Sequence, residues 1–216
     1  MSSIHLAIAA VPVAVYLLLI GGLRLRKRPL LTTGWRDMLA LGIASSGLMA
    51  IGPMQLFFPT QAAARWQGWV WIALLLLYVL GLVLVLISCK PRLIAYGLDE
   101  VVFRKLLHDA ALSVDPQSNW NGDVLSLPSC GLQLVNEPSG TSRVHQVVLV
   151  GLLDNLQGWL AMERAFVKAG ASTSCAPSAA GGALVLSGLL LLAIALLPML
   201  SDPNEALAQL RRFLQR

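Results

Sequence analysis

The sequence predicts a membrane α-helical protein with four transmembrane helices and a small α+β domain, ordered β-α-β-β-β-α, between the third and fourth of them. Three observations lead there. Four apolar runs each approach the 20 or so residues needed to cross a bilayer. Of the 216 residues, 56% are hydrophobic and only 12% charged, against roughly 25% charged in ordinary soluble domains. Between the third and fourth runs the apolar period changes to that of short strands and amphipathic helices.

The first run covers residues 4–23. It lacks a basic segment before it and a cleavage site after it, so it reads as a retained anchor rather than a signal peptide. The second covers 38–58 and is rich in Gly, Ala and Ser. Gly42, Ser46 and Ala50 fall at i, i+4 and i+8, a small-residue stripe suited to helix packing within the chain or against a partner. Pro53 is expected to kink or end this helix. The third run covers 69–88, with Trp66, Trp69 and Trp71 at its start as an interfacial aromatic belt. The fourth, 183–200, is nearly all Leu and Ala and is expected to face lipid along much of its length.

Charge placement gives an orientation. Five of the sixteen basic residues, Arg24, Arg26, Lys27, Arg28 and Arg36, lie in the segment between the first two runs. This concentration is a topology signal and not a phosphate-binding groove, so nucleic acid is excluded as a partner. The 24–36 loop is then cytoplasmic, the N-terminus outside, and residues 90–182 cytoplasmic. Arg211, Arg212 and Arg216 would lie outside, against the rule, but at a distance from the last span and long after the first helix has set the orientation.

Within the domain of residues 90–170, a strand at 93–96 precedes a helix that Asp99 can cap. Phe103, Leu106, Leu107 and Ala110 form that helix's apolar stripe. Strands are expected at 124–127, 132–135 and 144–150, with turns at 128–131 and 138–141. A second helix runs from Asp154 to about Lys168 with the stripe Trp159, Met162, Phe166 and Ala169. Both helices should cover one face of an antiparallel sheet. Residues 171–182 read as a flexible linker. After the last span, residues 201–216 form an amphipathic helix, with Asp202, Pro203 and Glu205 as its start signal. Its apolar side carries Leu207, Leu210, Phe213 and Leu214, candidate contacts for a membrane surface or a partner subunit. Trp120, in an Asn-Trp-Asn-Gly turn, is either a candidate partner contact or a residue folded back on its own domain.

The chemistry is sparse. No ionisable residue lies inside any span, which weighs against proton-coupled transport and intramembrane proteolysis. Cys89, Cys130 and Cys175 have no paired spacing, so neither a disulfide framework nor a zinc ribbon is expected. His108 falls on a polar helix face. His145 and Cys130 together would supply at most two of the four ligands a structural zinc needs. Phosphate-binding glycine loops are absent from the sequence, and Ser129 and Ser139 lack a nucleophile motif. No catalytic, cofactor or metal residue is assigned.

Thr32-Thr33-Gly34-Trp35-Arg36-Asp37, Gly52-Pro53-Met54-Gln55-Leu56-Phe57-Phe58-Pro59 and Lys90-Pro91-Arg92-Leu93 resemble bacterial multi-span membrane proteins of unassigned function with a small cytoplasmic α+β domain. The resemblance implies a bacterial cytoplasmic membrane and attaches no activity, ligand or functional residue. The leading expectation is a non-catalytic accessory or scaffold subunit of a larger membrane complex, its partners the lipid bilayer and other subunits or further copies of the chain. From other classes come a homo-oligomeric channel, with the Gly42/Ser46/Ala50 face at its helix interface, and a membrane-anchored sensor with a ligand-binding cytoplasmic domain.

Overall fold

The computed structural model describes residues 3–56, 65–66, 69–137, 143–175, 179–201 and 203–214, without the side chains of Ala206 and of 210–214. The chain divides into two compact units: residues 1–21, 38–88 and 182–216 form one, and 22–37 with 89–181 the other.

The first unit is helical. Four helical stretches are long and apolar enough to cross a membrane: Ser3–Leu25, Gly34–Leu56, Trp69–Ser88 and Ala179–Ser201. We label α1 Ser3–Leu25, α2 Gly34–Ile51, α3 Pro53–Leu56 and α4 Trp69–Ser88. The break between α2 and α3 falls at Gly52 and Pro53. Proline lacks the N–H that would continue the ladder, and it suits a first helical turn. The last two helices of the chain, α7 Ala179–Ser201 and α8 Pro203–Leu214, complete the unit.

Small residues set the helix spacing. Along α1, Ala7, Ala10 and Ala14 are buried. A side-chain carbon added at Gly47 of α2 would stand 1.9 Å from the Ile8 carbonyl oxygen of α1. One added at Gly188 of α7 would meet Leu18 Cγ at 3.0 Å and the Ala14 carbonyl at 3.1 Å. By contrast Val70 is the buried residue of α4, whose leucines and valines are mostly exposed.

The second unit is a six-stranded antiparallel sheet with two helices on one face. Its strands are β1 Leu30–Thr33, β2 Arg92–Tyr96, β3 Asn119–Asn121, β4 Val124–Leu127, β5 Leu132–Glu137 and β6 Val144–Leu149, in the order β1-β2-β6-β5-β4-β3. Helix α5, Glu100–Val114, follows β2, and α6, Leu156–Ala171, follows β6.

Several boundaries differ from the sequence expectations. The 24–36 segment is not all loop: Leu30–Thr33 pairs with β2, Leu31 opposite Ala95 and Thr33 opposite Leu93, and closes one sheet edge. Helix α2 starts at Gly34 instead of 38, since nothing in Trp35-Arg36-Asp37 opposes a helix. Trp120 lies inside β3, and the turn is Gly122-Asp123, with Gly122 at φ 62° as a tight hairpin requires. Helix α6 begins at Leu156, capped by Asn155, whose side chain accepts from the Gly158 N–H at 2.8 Å. Asp99 precedes α5 but makes no capping bond and faces Arg143 at 3.8 Å. The linker is shorter than residues 171–182, because Ala179-Ala180-Gly181-Gly182 belongs to α7. The expected turn at 138–141 and the Asp202 cap lie outside the described residues.

The core of this unit lies between sheet and helices. Leu93, Ala95, Leu125, Leu127, Leu132, Leu134, Val147 and Leu149 project from the inner face. They meet Phe103, Leu106, Leu107, Ala110 and Ala111 of α5, and Trp159, Met162 and Phe166 of α6. Phe103 and Phe166 meet edge to face, with centroids 6.3 Å apart. Each fully buried side chain of this size contributes roughly 1.5–3 kcal/mol. The outer face is mixed: Gln146 donates to Glu137 at 3.1 Å, whereas Ile94 is buried.

Candidate interaction face

A feature with the character of a binding surface lies in the helical unit, between α2 and α4. It is an open groove of about 670 Å³ lined by side chains that include Met38, Leu41, Met49, Met54, Leu77 and Leu82, with Gly42 in its wall. Gly42 has no side chain, and Leu82 of α4 packs into the space that leaves. A carbon added there would meet Leu82 Cδ1 at 2.5 Å.

Its polar atoms are turned inward. The Tyr78 hydroxyl donates to the Gly42 carbonyl at 2.5 Å. Ser45 Oγ donates back to the Leu41 and Gly42 carbonyls at 2.9 and 3.0 Å, and stands 3.4 Å from Tyr78 Oη. With each hydroxyl on a backbone carbonyl, the opening presents methyl, methylene and thioether groups. Methionines adapt to irregular apolar partners, and such a surface selects by shape instead of by hydrogen bonding.

The stripe Gly42/Ser46/Ala50 is split. Gly42 lines the groove. Ser46 returns its hydroxyl to the Ile43 carbonyl at 2.7 Å, and neither it nor Ala50 belongs to the lining. A close helix approach uses Gly47, which at 3.6 residues per turn lies about 140° round α2 from Gly42 and faces the Ile8 carbonyl of α1 instead. Tyr78 and the methionines were not singled out from sequence; the one signal was a lone tyrosine in an otherwise apolar span.

In the sheet unit, Trp120 is half-buried and packs against the core, with the Arg104 guanidinium 5.4 Å from its ring centroid. Arg104 also pairs with Glu100 at 3.3 Å and with Asp123. On α8, Leu207 is exposed. The side chains of Leu210, Phe213 and Leu214 lie outside the description. Glu205 accepts from Gln209 Nε2 at 3.1 Å, and Gln209 Oε1 accepts from the Ser3 hydroxyl at 3.0 Å.

The polar side chains of this unit serve turns. Buried Asp115 accepts from the Gln117 N–H at 2.9 Å and from the Ser129 N–H and hydroxyl, both at 2.8 Å. Burial alone would raise its pKa, but these three bonds outweigh it and hold the carboxyl below its ordinary value. Ser129 is thereby a donor to a carboxylate, through both its N–H and its hydroxyl. His145 stacks on Phe103 at 5.2 Å with its Nε2 3.1 Å from the Leu98 carbonyl. Cys130 lies elsewhere, its carbonyl accepting from Asn155 Nδ2 at 3.2 Å. Among the described residues no three His, Cys, Asp or Glu side chains are grouped to hold a metal, and all three cysteines are free thiols.

Compared with protein-family models, with curated proteins and with solved structures, the chain matches none.

Proposed function

We propose that this chain is a non-catalytic accessory or scaffold subunit of a larger membrane assembly, inserted with its N-terminus outside and residues 90–182 in the cytoplasm, in a bacterial inner membrane. The observation that carries the reading is the α2/α4 groove, an apolar surface whose hydroxyls are already satisfied. Association in lipid proceeds by close packing at small residues, and an adaptable groove beside Gly42 suits an apolar helix of another subunit. Spans free of interior charge, and the use of Asp115, Ser129 and Asn155 in turns and caps, favour support over catalysis. A water-lined pore would need polar atoms facing outward, and here Ser45 and Tyr78 face backbone.

The test is native purification in mild detergent from the source membrane, with mass spectrometry of co-migrating chains. A defined set of partners, lost when Leu77→Trp fills the groove while the amount of protein holds, is the expected result. A protein that migrates alone sinks the reading. A homo-oligomer replaces it with the channel reading, which conductance in reconstituted bilayers then examines.

A further inference from the structure

The loop joining β6 to α6 carries an apolar surface that the soluble fold does not use. Leu152 is 85% exposed, Leu156 55% and Val150 46%. Floppiness does not explain this, because the loop is pinned at both ends. Val150 donates its N–H to the Gln133 carbonyl at 2.8 Å, Leu153 packs inward on the core, and Asn155 caps α6 while bonding the Cys130 carbonyl. The same anchors that draw Leu153 in hold Leu152 and Leu156 out.

The place of this loop in the sheet matters as much as its composition. Leu149, the last residue of β6, donates its N–H to the Pro91 carbonyl at 3.0 Å. Pro91 is three residues beyond Ser88, the end of α4, and three extended residues reach about 10–11 Å at most. The antiparallel ladder therefore sets Val150, where the loop begins, beside the residue that leads from α4 into β2. Exposed Lys90 and half-buried Arg92 stand at that same end. Apolar side chains beside cations form the combination that holds a surface at the headgroup level of a bilayer. Asp154, exposed between Leu152 and Leu156, limits the loop to the interface, since a carboxylate is costly at greater depth.

We propose that residues 150–156 are an interfacial membrane contact: Leu152 and Leu156 enter the headgroup–acyl boundary of the bilayer the chain spans, with Lys90 and Arg92 at phosphate level. The inference rests on the membrane-inserted reading and is independent of the scaffold role.

The test uses full-length protein with Cys89, Cys130 and Cys175 replaced by Ser. Single cysteines at Leu152, Leu75 or Asn121 carry a nitroxide, in 3:1 phosphatidylcholine–phosphatidylglycerol vesicles. Relative accessibility to oxygen and to a nickel chelate reports depth. Position 75 should be deep and 121 aqueous, with the oxygen-to-nickel ratio at 152 several-fold above that at 121. A ratio at 152 equal to that at 121, with 75 deep, overturns the proposal and leaves membrane insertion standing. Nickel access at 75 overturns insertion itself. Should the serine background not fold, the unmodified chain in vesicles holding a phosphatidylglycerol with a diazirine near the top of its acyl chain gives a second readout. Label within 150–156 supports the contact, and label confined to the apolar helices overturns it.

Discussion

Gly47 of α2 sits against the Ile8 carbonyl of α1, the one acceptor that Pro12, four residues on, leaves without a helical N–H. A side-chain carbon at Gly47 would stand 1.9 Å from that oxygen, so only a glycine lets α2 cover it. The acceptor without a helical N–H and the small residue that covers it are two halves of one packing solution. Gly47→Ala should therefore cost about 1–3 kcal/mol, as overpacking does, and lower the thermal midpoint in detergent. Gly81→Ala, where an added carbon meets nothing within 4 Å, should leave it unchanged. Equal midpoints for both variants would refute the packing role.

Asp115 gives the sheet unit a defined response to acid. Its folded pKa is below the unfolded value, so its stabilisation is fully present above about pH 3.9, the ordinary aspartate value. It is lost as pH falls through the lower folded value. Asp115→Asn should lower the midpoint at pH 7 and reduce the acid sensitivity below pH 4. Denaturation curves at pH 3, 5 and 7 measure both effects, and a variant that keeps the full acid slope would place the sensitivity elsewhere.

The edge strand β1 should be required for a stable sheet. An added carbon at Gly170 would lie 2.1 Å from Leu31 Cδ1, so Leu31 fills the space that this glycine of α6 leaves open. Leu31→Ala should cost roughly 1–2 kcal/mol, below the 3–5 kcal/mol expected of Phe166→Ala at the fully buried centre. Denaturant titration of the full chain, followed by a probe in α6, ranks the two, and a neutral Leu31→Ala would make β1 dispensable.

Cys175 should react slowly. Burial pushes its thiol pKa up, and Arg143 offsets this only in part. Maleimide labelling near pH 7.5 is expected to lag behind that of a free model thiol and to accelerate with rising pH. Arg143→Gln should slow it further, and a faster reaction in that variant would reverse the assignment.

What could be read from sequence divides along a physical line. The stripes Phe103/Leu106/Leu107/Ala110 and Trp159/Met162/Phe166 stood out because periodicity records which side of a helix is buried, and the core holds those residues. The strands expected at 124–127, 132–135 and 144–150 showed by alternation, and the structure has them at Val124–Leu127, Leu132–Glu137 and Val144–Leu149. Leu30–Thr33 did not, because a four-residue strand has too few positions to display a period and its neighbours are cations. Trp120 was placed in a turn because Asn-Gly pulls the eye one residue early. The groove was half legible: Gly42 belonged to a visible stripe, but Tyr78 and the methionines converge on it only once two distant helices are side by side. Gly47 escaped because it lies on another face of α2 from the stripe, toward α1.

The strand β1 has one more consequence, which concerns the order of events on the ribosome. Leu31 is made long before Ala95, its neighbour in the sheet, and chains emerge N-terminus first at about 5–20 residues per second. The first two apolar helices are therefore complete, and their connecting segment committed to one side, before the rest of the sheet exists. In the membrane-inserted reading, two helices cross between that segment and β2, so the two meet on one side and the segment waits as a template for β2. If one of those two helices fails to cross, β2 emerges across the bilayer from its neighbour, and an unpaired edge is left for proteases and chaperones to recognise. In that reading a strand of four residues doubles as a check on the number of crossings, converting a missed span into a failure of folding.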